Sequence, residues 1–146
     1  IVISAKEAVR TICMAVSYNN QHLTQLKSDG VIFSTPTGST AYSSSAGGPI
    51  IDPDMDAFIF TPVNPFSLSA RPIVLNPEGV ISVLIKESRT KEIILTADGQ
   101  NVCKLMEGDE VLVRRGQDKA LLVYCTTENF YKALLSKRNW SGGPNA

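Results

Sequence analysis

Residues 11–35, TICMAVSYNNQHLTQLKSDGVIFST, are the stretch that decides how this chain folds. The first eight of them are rich in strand-forming side chains and end at Asn19-Asn20, a strong signal for a two-residue hairpin turn. Residues 21–27 alternate polar and apolar side chains and are the predicted return strand. Ser28-Asp29-Gly30 then turns the chain into a short apolar run at 31–35. This run predicts a third, buried strand.

The same pattern continues through most of the chain. Groups such as Asn76-Pro77-Glu78-Gly79 and Asp98-Gly99 favour turns and separate short apolar runs. Helical signal is confined to at most two turns at 6–10, a short helix at Thr40–Ala46 and a C-terminal helix at Glu128–Arg138. The further predicted strands are 57–63, 73–75, 80–85, 92–97, 102–105, 111–115 and 120–126. We therefore predict a mainly β protein, a distorted β-sandwich of many short strands, with a short helix after the TPTGSTAY loop and a C-terminal helix.

Length and composition limit the possible classes of protein. A chain of 146 residues, 43% of them hydrophobic, fits one domain with its own core. Its 14 basic and 14 acidic side chains give no net charge, which argues against a general nucleic-acid binder. No apolar run approaches the roughly 20 residues that cross a bilayer, and the first residues lack the pattern of a secretory signal. We expect neither a nucleic acid nor a membrane as partner.

The cysteines and the clustered acids do not indicate a metal site. Cys13, Cys103 and Cys125 are odd in number, lack the spacing of metal ligands and lie inside apolar runs, so we interpret them as buried structural thiols in a reducing cytoplasm. The acidic residues between 52 and 56 lack the glycine and the terminal glutamate of a calcium loop. We interpret them as an exposed turn.

The segment 29–49, DGVIFSTPTGSTAYSSSAGGP, is the strongest candidate for a binding site. Pro36 ends the predicted strand, and Gly38 has no Cβ that would keep another molecule away from the backbone. Ser39 and Thr40 are expected to cap a helix whose first amide groups face a ligand. Tyr42 offers a ring that can stack on a base. The residues alone leave two interpretations open, a Ser/Thr-rich turn and a ligand-binding loop.

This segment resembles the signature of the NAD kinases, and the resemblance covers nearly the whole chain. It continues through Thr61-Pro62, LSARPIVL at 68–75, Asp98-Gly99-Gln100, Gly108-Asp109 and Trp140. Two motifs of the family are missing: a Gly-Gly-Asp-Gly loop with the catalytic aspartate, and an Asn-acid pair before a strand that looks like residues 1–3. The chain also opens without Met. The resemblance therefore implies that residues 1–146 are the C-terminal, β-rich, NAD-binding domain of an NAD kinase without its N-terminal α/β half, and we expect this part alone to be inactive.

The resemblance also implies a reaction. The family transfers a phosphoryl group from ATP, or from polyphosphate in some members, to the adenosine ribose 2′-hydroxyl of NAD and so makes NADP. A divalent cation such as Mg²⁺ assists, and the missing half would supply the catalytic base, the metal contacts and most of the ATP site. The implied partners are NAD, the protein's own N-terminal α/β domain and further copies of itself in a dimer or tetramer.

The site residues that the resemblance implies are binding residues, and none is catalytic. Asp29 would hold the hydroxyls or the carboxamide of the nicotinamide nucleoside, often across a subunit boundary in this family. Phe66 stands where many members have His. The NAD contacts fall on Asp29, Thr40, Ala41, Tyr42, Ser43, Ser44, Ser45 and Gln100, with Lys27 as a cation that could reach a phosphate and with Arg10 and Asn64 matched by position only.

Two other functions stay open at this point. Lipid kinases of the diacylglycerol or sphingosine type pair a similar nucleotide-binding half with a β-sandwich, but they need an apolar acceptor pocket instead of a polar Ser/Thr/Gly loop. A β-sandwich module that senses nucleotides without catalysis is the other alternative. The upstream sequence would separate these functions.

Overall fold

The computed structural model describes residues 1–6, 11–86, 88, 92–118, 120–121, 130, 132 and 134. The chain divides into two compact units, Ile1–Arg115 and Gly116–Ala146. The strands of the first unit, as far as it is described, are β1 Val2–Ala5, β2 Ile12–Tyr18, β3 Gln21–Ser28, β4 Gly30–Ser34, β5 Phe58–Val63, β6 Ile73–Leu75, β7 Ile81–Ile85, β8 Ile93–Ala97, β9 Gln100–Leu105 and β10 Glu110–Val113. A 3₁₀ turn at Thr37–Thr40 and the helix α1 at Tyr42–Ser45 lie between β4 and β5.

The strands form two antiparallel sheets. One has six strands in the order β6-β5-β4-β1-β8-β9, and the other has four in the order β10-β7-β2-β3. Alternate side chains of both sheets form one apolar core, for example Ile3 and Phe33 from the first sheet with Met14 and Val83 from the second. The predicted mainly β sandwich is confirmed, and so is the short helix after the TPTGSTAY loop.

The hairpin turns follow from local chemistry. Asn19 and Asn20 have φ of 49° and 63°, and Asp98 and Gly99 have 48° and 78°. Two consecutive left-handed residues match the right-handed twist of the flanking strands, and Asn, Asp and Gly tolerate that conformation best. These are two of the turns predicted from sequence. The strand after the second turn begins at Gln100, two residues earlier than predicted.

The outer face of the six-stranded sheet is also covered next to β4 and β5. Phe58 and Phe60 of β5 face the core between the sheets, so the alternating Ile59 and Thr61 point away from it. Both are nevertheless fully buried. The Thr61 hydroxyl hydrogen-bonds Ser43 of α1, so the segment between β4 and β5 folds back over this face.

Several predictions fall mainly outside the described residues. In the predicted C-terminal helix at 128–138, Phe130, Lys132 and Leu134 are described and helical, and the other positions lie outside. The predicted strand at 120–126 is described only at 120–121, where the backbone is not a strand. Arg10, Cys125, Trp140 and most of the predicted turns at 6–10 are not among the described residues. Cys13 is half-buried and Cys103 exposed, so the predicted burial of these two thiols is wrong. In the part of the chain that is described, no helix has the length and hydropathy to span a membrane.

Candidate functional site

Strand β4 separates the predicted contact residues into two groups. Asp29 precedes this strand, and Asn64 follows β5, whose Val63 pairs with Gly30. We refer to Lys27, Asp29 and Asn64 as the acidic corner, and to residues 36–48, which leave the other end of β4, as the serine loop. Five residues of β4 at about 3.3 Å each put the two groups about 16 Å apart along the strand.

The beginning of the serine loop is held by its own hydrogen bonds. The Ser39 hydroxyl accepts from the Ile51 amide at 3.0 Å and lies 3.4 Å from the Ile51 carbonyl, so it ties the loop to a distant segment. The amides of Gly38, Ser39 and Ala41 donate to Thr35 Oγ1, Pro36 O and Gly38 O. Neither helical turn has a side-chain cap. The predicted capping by Ser39 and Thr40 is therefore wrong, and these three amides are not free to face a ligand.

Helix α1 is anchored to β5 through a buried contact. Ser43 Oγ lies 2.9 Å from Thr61 Oγ1, and the two residues are 1% and 0% exposed. The Gly48 amide donates to the Ser43 carbonyl at 2.8 Å and closes the loop. A Cβ at Gly48 would lie 2.7 Å from Thr61 Oγ1 and 2.8 Å from Ser43 O, so only glycine fits without movement. This anchor fixes the direction in which α1 presents its outer residues.

The outer side of the serine loop is accessible. Tyr42 is 52% exposed, Ala41 and Ser45 are exposed, and Thr40 and Ser44 are half-buried. Ser43 differs, because its hydroxyl is used inside the fold, and a contact of this residue with a ligand would have to use its backbone. The bend near Gly38 is thus not filled by Tyr42, whose ring is available for stacking.

Gln100 and the serine loop lie at the same end of the strands of the six-stranded sheet. Val2 pairs with both Ile32 and Thr96, so the end of β8 is level with the end of β4. Gln100 starts β9 directly after the Asp98-Gly99 turn and is exposed. The two strands β1 and β8 separate it from β4, so it is level with the loop but not adjacent to it.

The acidic corner is built from backbone contacts and one side-chain pair. The Asp29 amide donates to Val63 O at 3.0 Å, and the Asp29 carbonyl accepts from the Ala5 amide at 3.2 Å. Asn64 Nδ2 donates to Asp29 Oδ2 at 3.0 Å. Lys27 Nζ lies 5.4 Å from the centre of the exposed Phe66 ring, within the range of a cation–π contact. A carboxylate, an amide and a cation thus lie within one short turn region.

A groove of about 540 Å³ opens beside the acidic corner. The buried side chains of Leu26 and Phe60 contribute to its lining, together with Lys27, Phe66 and Arg71. Its described lining includes two cations and no carboxylate. Arg71 donates to the carbonyls of Leu68 and Ala70, so its guanidinium is partly used within its own turn.

A second cavity, of about 440 Å³, has its charges paired. Arg115 forms ion pairs with Glu78 at 2.5 Å and with Asp56 at 3.4 Å. The hydrogen bond with Glu78, followed by the charge of Asp56, raises the pKa of the Arg115 guanidinium. The Asp52 carboxylate accepts from the Asp54 amide at 2.9 Å, as expected of a turn. Among the described residues no group of three or more His, Cys, Asp or Glu side chains could hold a metal ion.

Comparison with known proteins identifies the family. Residues 1–125 match the family described as the ATP-NAD kinase C-terminal domain. The chain belongs to this family. It is 46% identical over 141 residues to an NAD kinase of Treponema denticola, covering 97% of this chain and 50% of that protein. The chain spans about half the length of the curated relatives that it matches.

Solved structures agree with this assignment. The crystal structure of yeast NADH kinase complexed with NADH is similar over 97% of this chain and 44% of that one, with a TM-score of 0.86 and 26% identity. The structure of an NAD kinase from Archaeoglobus fulgidus in complex with ATP is similar over 80% and 44%, with a TM-score of 0.70 and 28% identity. The resemblance stated from the sequence motifs is therefore confirmed.

Sequence reasoning missed the residues that support the serine loop. Thr61 is buried beneath the loop and Gly48 has no side chain, yet they determine where α1 lies. A signal was present for both: a threonine among the apolar residues of β5, and a Gly-Gly-Pro after the serines. Neither pattern indicates which residue it contacts, because Ser43 and Thr61, for example, lie 18 positions apart in the sequence.

Proposed function

We propose that this chain is the acceptor-binding domain of an NAD kinase, which transfers a phosphoryl group from ATP to the adenosine ribose 2′-hydroxyl of NAD and makes NADP. Membership of the family and the names of its relatives support this proposal. The proposal rests on the exposed Tyr42, which lies on a loop that the buried Ser43–Thr61 contact anchors to β5. A stacking ring on a fixed support is what a site for a flat base requires.

In this mechanism the chain positions the acceptor. Tyr42 stacks on a base of NAD, while Thr40, Ser44 and Ser45 offer hydroxyl groups to its polar edges. Gln100 contacts NAD from the same end of the sheet, with two strands between it and the strand that leads into the loop. Phosphoryl transfer depends mainly on positioning and on electrostatic stabilisation, so a rigid acceptor site contributes directly to the rate.

The chemical step itself is assigned outside this chain. We propose that an N-terminal α/β domain supplies the catalytic base and binds ATP, or polyphosphate, with a divalent cation such as Mg²⁺. The described residues do not fit a metal site, so no step of the proposal runs through a metal held here. We also propose that the enzyme works in the cytoplasm, where thiols such as Cys13 and Cys103 stay reduced.

We propose a homo-oligomer in which two copies share each site. The serine loop and the acidic corner leave opposite ends of β4, about 16 Å apart by strand rise. We propose that the acidic corner of one copy completes the site formed by the serine loop of another, in a dimer or tetramer. Asp29 and Lys27 would then contact the part of NAD that extends beyond the serine loop.

The test is turnover by the purified full-length protein. We expect conversion of NAD to NADP with ATP, measured with an NADP-specific dehydrogenase, and a parallel reaction with polyphosphate identifies the donor. Phosphorylation of diacylglycerol or sphingosine without NAD turnover would replace the proposal by a lipid kinase. Binding of NAD without any turnover would replace it by a sensing module.

Mixing two weakened variants tests the shared site. At an NAD concentration below the wild-type KM, the Tyr42→Ala and Asp29→Ala proteins should each have low activity, and hybrids of the two should regain part of it, because one of their sites carries both native groups. The control is each variant mixed with itself. Hybrids without recovered activity, or a strict monomer in light scattering, would contradict the shared site.

A further inference from the structure

The carboxylate of Asp29 depends on one described side chain for its direction. The backbone of Asp29 is bound on both sides, by Val63 and by Ala5. The Ser28 hydroxyl donates to Gly30 O at 2.9 Å and fixes the same turn. Among the residues that the structure describes, only Asn64 hydrogen-bonds the Asp29 side chain. Several hydrogen bonds therefore fix the backbone of Asp29, whereas one described hydrogen bond fixes the direction of its side chain.

Position 64 makes two demands on the residue that occupies it. Its φ of 44° lies in the left-handed region, which Gly, Asn and Asp tolerate best. The bond to Asp29 needs a side-chain N–H, which glycine and an ionised aspartate lack. Of these three residues only asparagine meets both demands. Two residues later the Phe66 amide donates to Lys27 O at 2.8 Å, so the turn also returns the chain to β3.

An amide donor suits this position for an electrostatic reason. A lysine or arginine in its place would hold the carboxylate but would also neutralise it. The neutral amide occupies Oδ2 and leaves the full negative charge, with Oδ1 able to accept from a ligand hydroxyl or amide. Asp29 is half-buried and Asn64 exposed, so this second oxygen can be reached from solvent.

We propose that Asn64 is a positioning residue, which orients the Asp29 carboxylate toward the NAD acceptor instead of binding the acceptor itself. This inference rests on the proposed function, because it assigns to Asp29 the contact with NAD. Loss of the Asn64 amide leaves the Asp29 carboxylate free to rotate. This weakens the binding of the substrate and of the transition state equally. Such a change raises KM without lowering kcat.

The experiment uses Asn64→Gly in the full-length protein, since glycine keeps the left-handed backbone and removes only the side chain. We expect the KM for NAD to rise about tenfold, the equivalent of about 1.4 kcal/mol, with kcat unchanged within about twofold. Asn20→Gly is the matched control, because Asn20 is also left-handed, with φ of 63°, and exposed. It lies at the opposite end of β3, and its KM should stay at the wild-type value.

A double-mutant cycle separates positioning from a general structural role. If Asn64 acts through Asp29, Asn64→Gly should change KM by less than about twofold in an Asp29→Asn background. Asn64→Asp keeps the backbone preference and puts a like charge beside Asp29, so its KM should rise at least as much as that of Asn64→Gly. If the Asn64→Gly protein does not fold, Asn64→Asp takes its place in the double-mutant cycle with Asp29→Asn.

Three results would overturn the inference and leave the proposed function standing. Losses that multiply in the cycle would show that Asn64 does not act through Asp29, and an equal fall in kcat and kcat/KM would show an effect on the chemical step. If the enzyme is active and both Asn64 variants keep the wild-type KM for NAD, the inference is wrong but the proposed function is unaffected. A wild-type protein that does not phosphorylate NAD would instead overturn the proposed function, and the inference with it.

Discussion

The serine loop and the acidic corner flank the same strand, but their side chains are held differently. Side chains of the loop anchor it within the fold, Ser43 to the buried Thr61 and Ser39 to Ile51. The backbone of the corner is held by hydrogen bonds that include the buried Ser28–Gly30 contact, whereas its own side chains form an exposed Asn64–Asp29 pair. Support of the loop therefore contributes to the stability of the fold, whereas the corner side chains can change with little cost to it.

The largest expected loss of stability comes from Gly48→Ala. The added methyl group meets Ser43 O and Thr61 Oγ1 at less than 3 Å, so the loop must move away from β5. We expect the free energy of unfolding in urea to fall by about 3 kcal/mol. Gly47→Ala is the matched control: its φ is 84° but no atom lies within 4 Å, so it should lose only about 1 kcal/mol. Equal losses at both positions would mean that the close packing under the loop is not as described.

A smaller loss is expected from Thr61→Val, which keeps the shape and removes the hydroxyl. The Ser43 hydroxyl then lies buried without its partner, and the free energy of unfolding should fall by about 2 kcal/mol. The double variant Thr61→Val with Ser43→Ala should recover part of this loss, since no unpaired hydroxyl remains. Thr24→Val, at a half-buried position on β3, should cost less than about 0.5 kcal/mol. Additive losses in the double variant would exclude the buried pair as the anchor.

The smallest effect on stability is expected from Tyr42→Ala, although its effect on binding is large. The ring is 52% exposed, so the free energy of unfolding should change by less than about 0.5 kcal/mol. Loss of stacking on a base should weaken NAD binding by about 1–2 kcal/mol, or roughly tenfold in KM. Leu112→Ala, also exposed, should change neither quantity. A Tyr42→Ala protein that is destabilised while its KM is unchanged would show that the ring serves the fold and not the ligand.

Much of the fold was predictable because its signals are local. Strand bounds such as 73–75 agree with the structure, and Asn19-Asn20 and Asp98-Gly99 adopt the left-handed turns that their side chains favour. The site was less predictable. Exposure of Tyr42 agrees with the expected ligand loop, whereas the predicted capping by Ser39 and Thr40 was wrong, and the amides of Gly38, Ser39 and Ala41 are taken by contacts within the fold. The assignment of each predicted residue to NAD stays a prediction.

The sequence by itself determined the turns, the alternation along the strands and the family. These depend on residues within a few positions of one another, or on a motif read as a whole. Only the tertiary structure decided that Ser43 is an internal anchor, that Asn64 holds Asp29 from 35 positions away and that Asp29 lies at the far end of β4 from Tyr42. The physical reason is register: pairing between β4 and β5 sets which distant side chains meet, and no local pattern encodes that pairing.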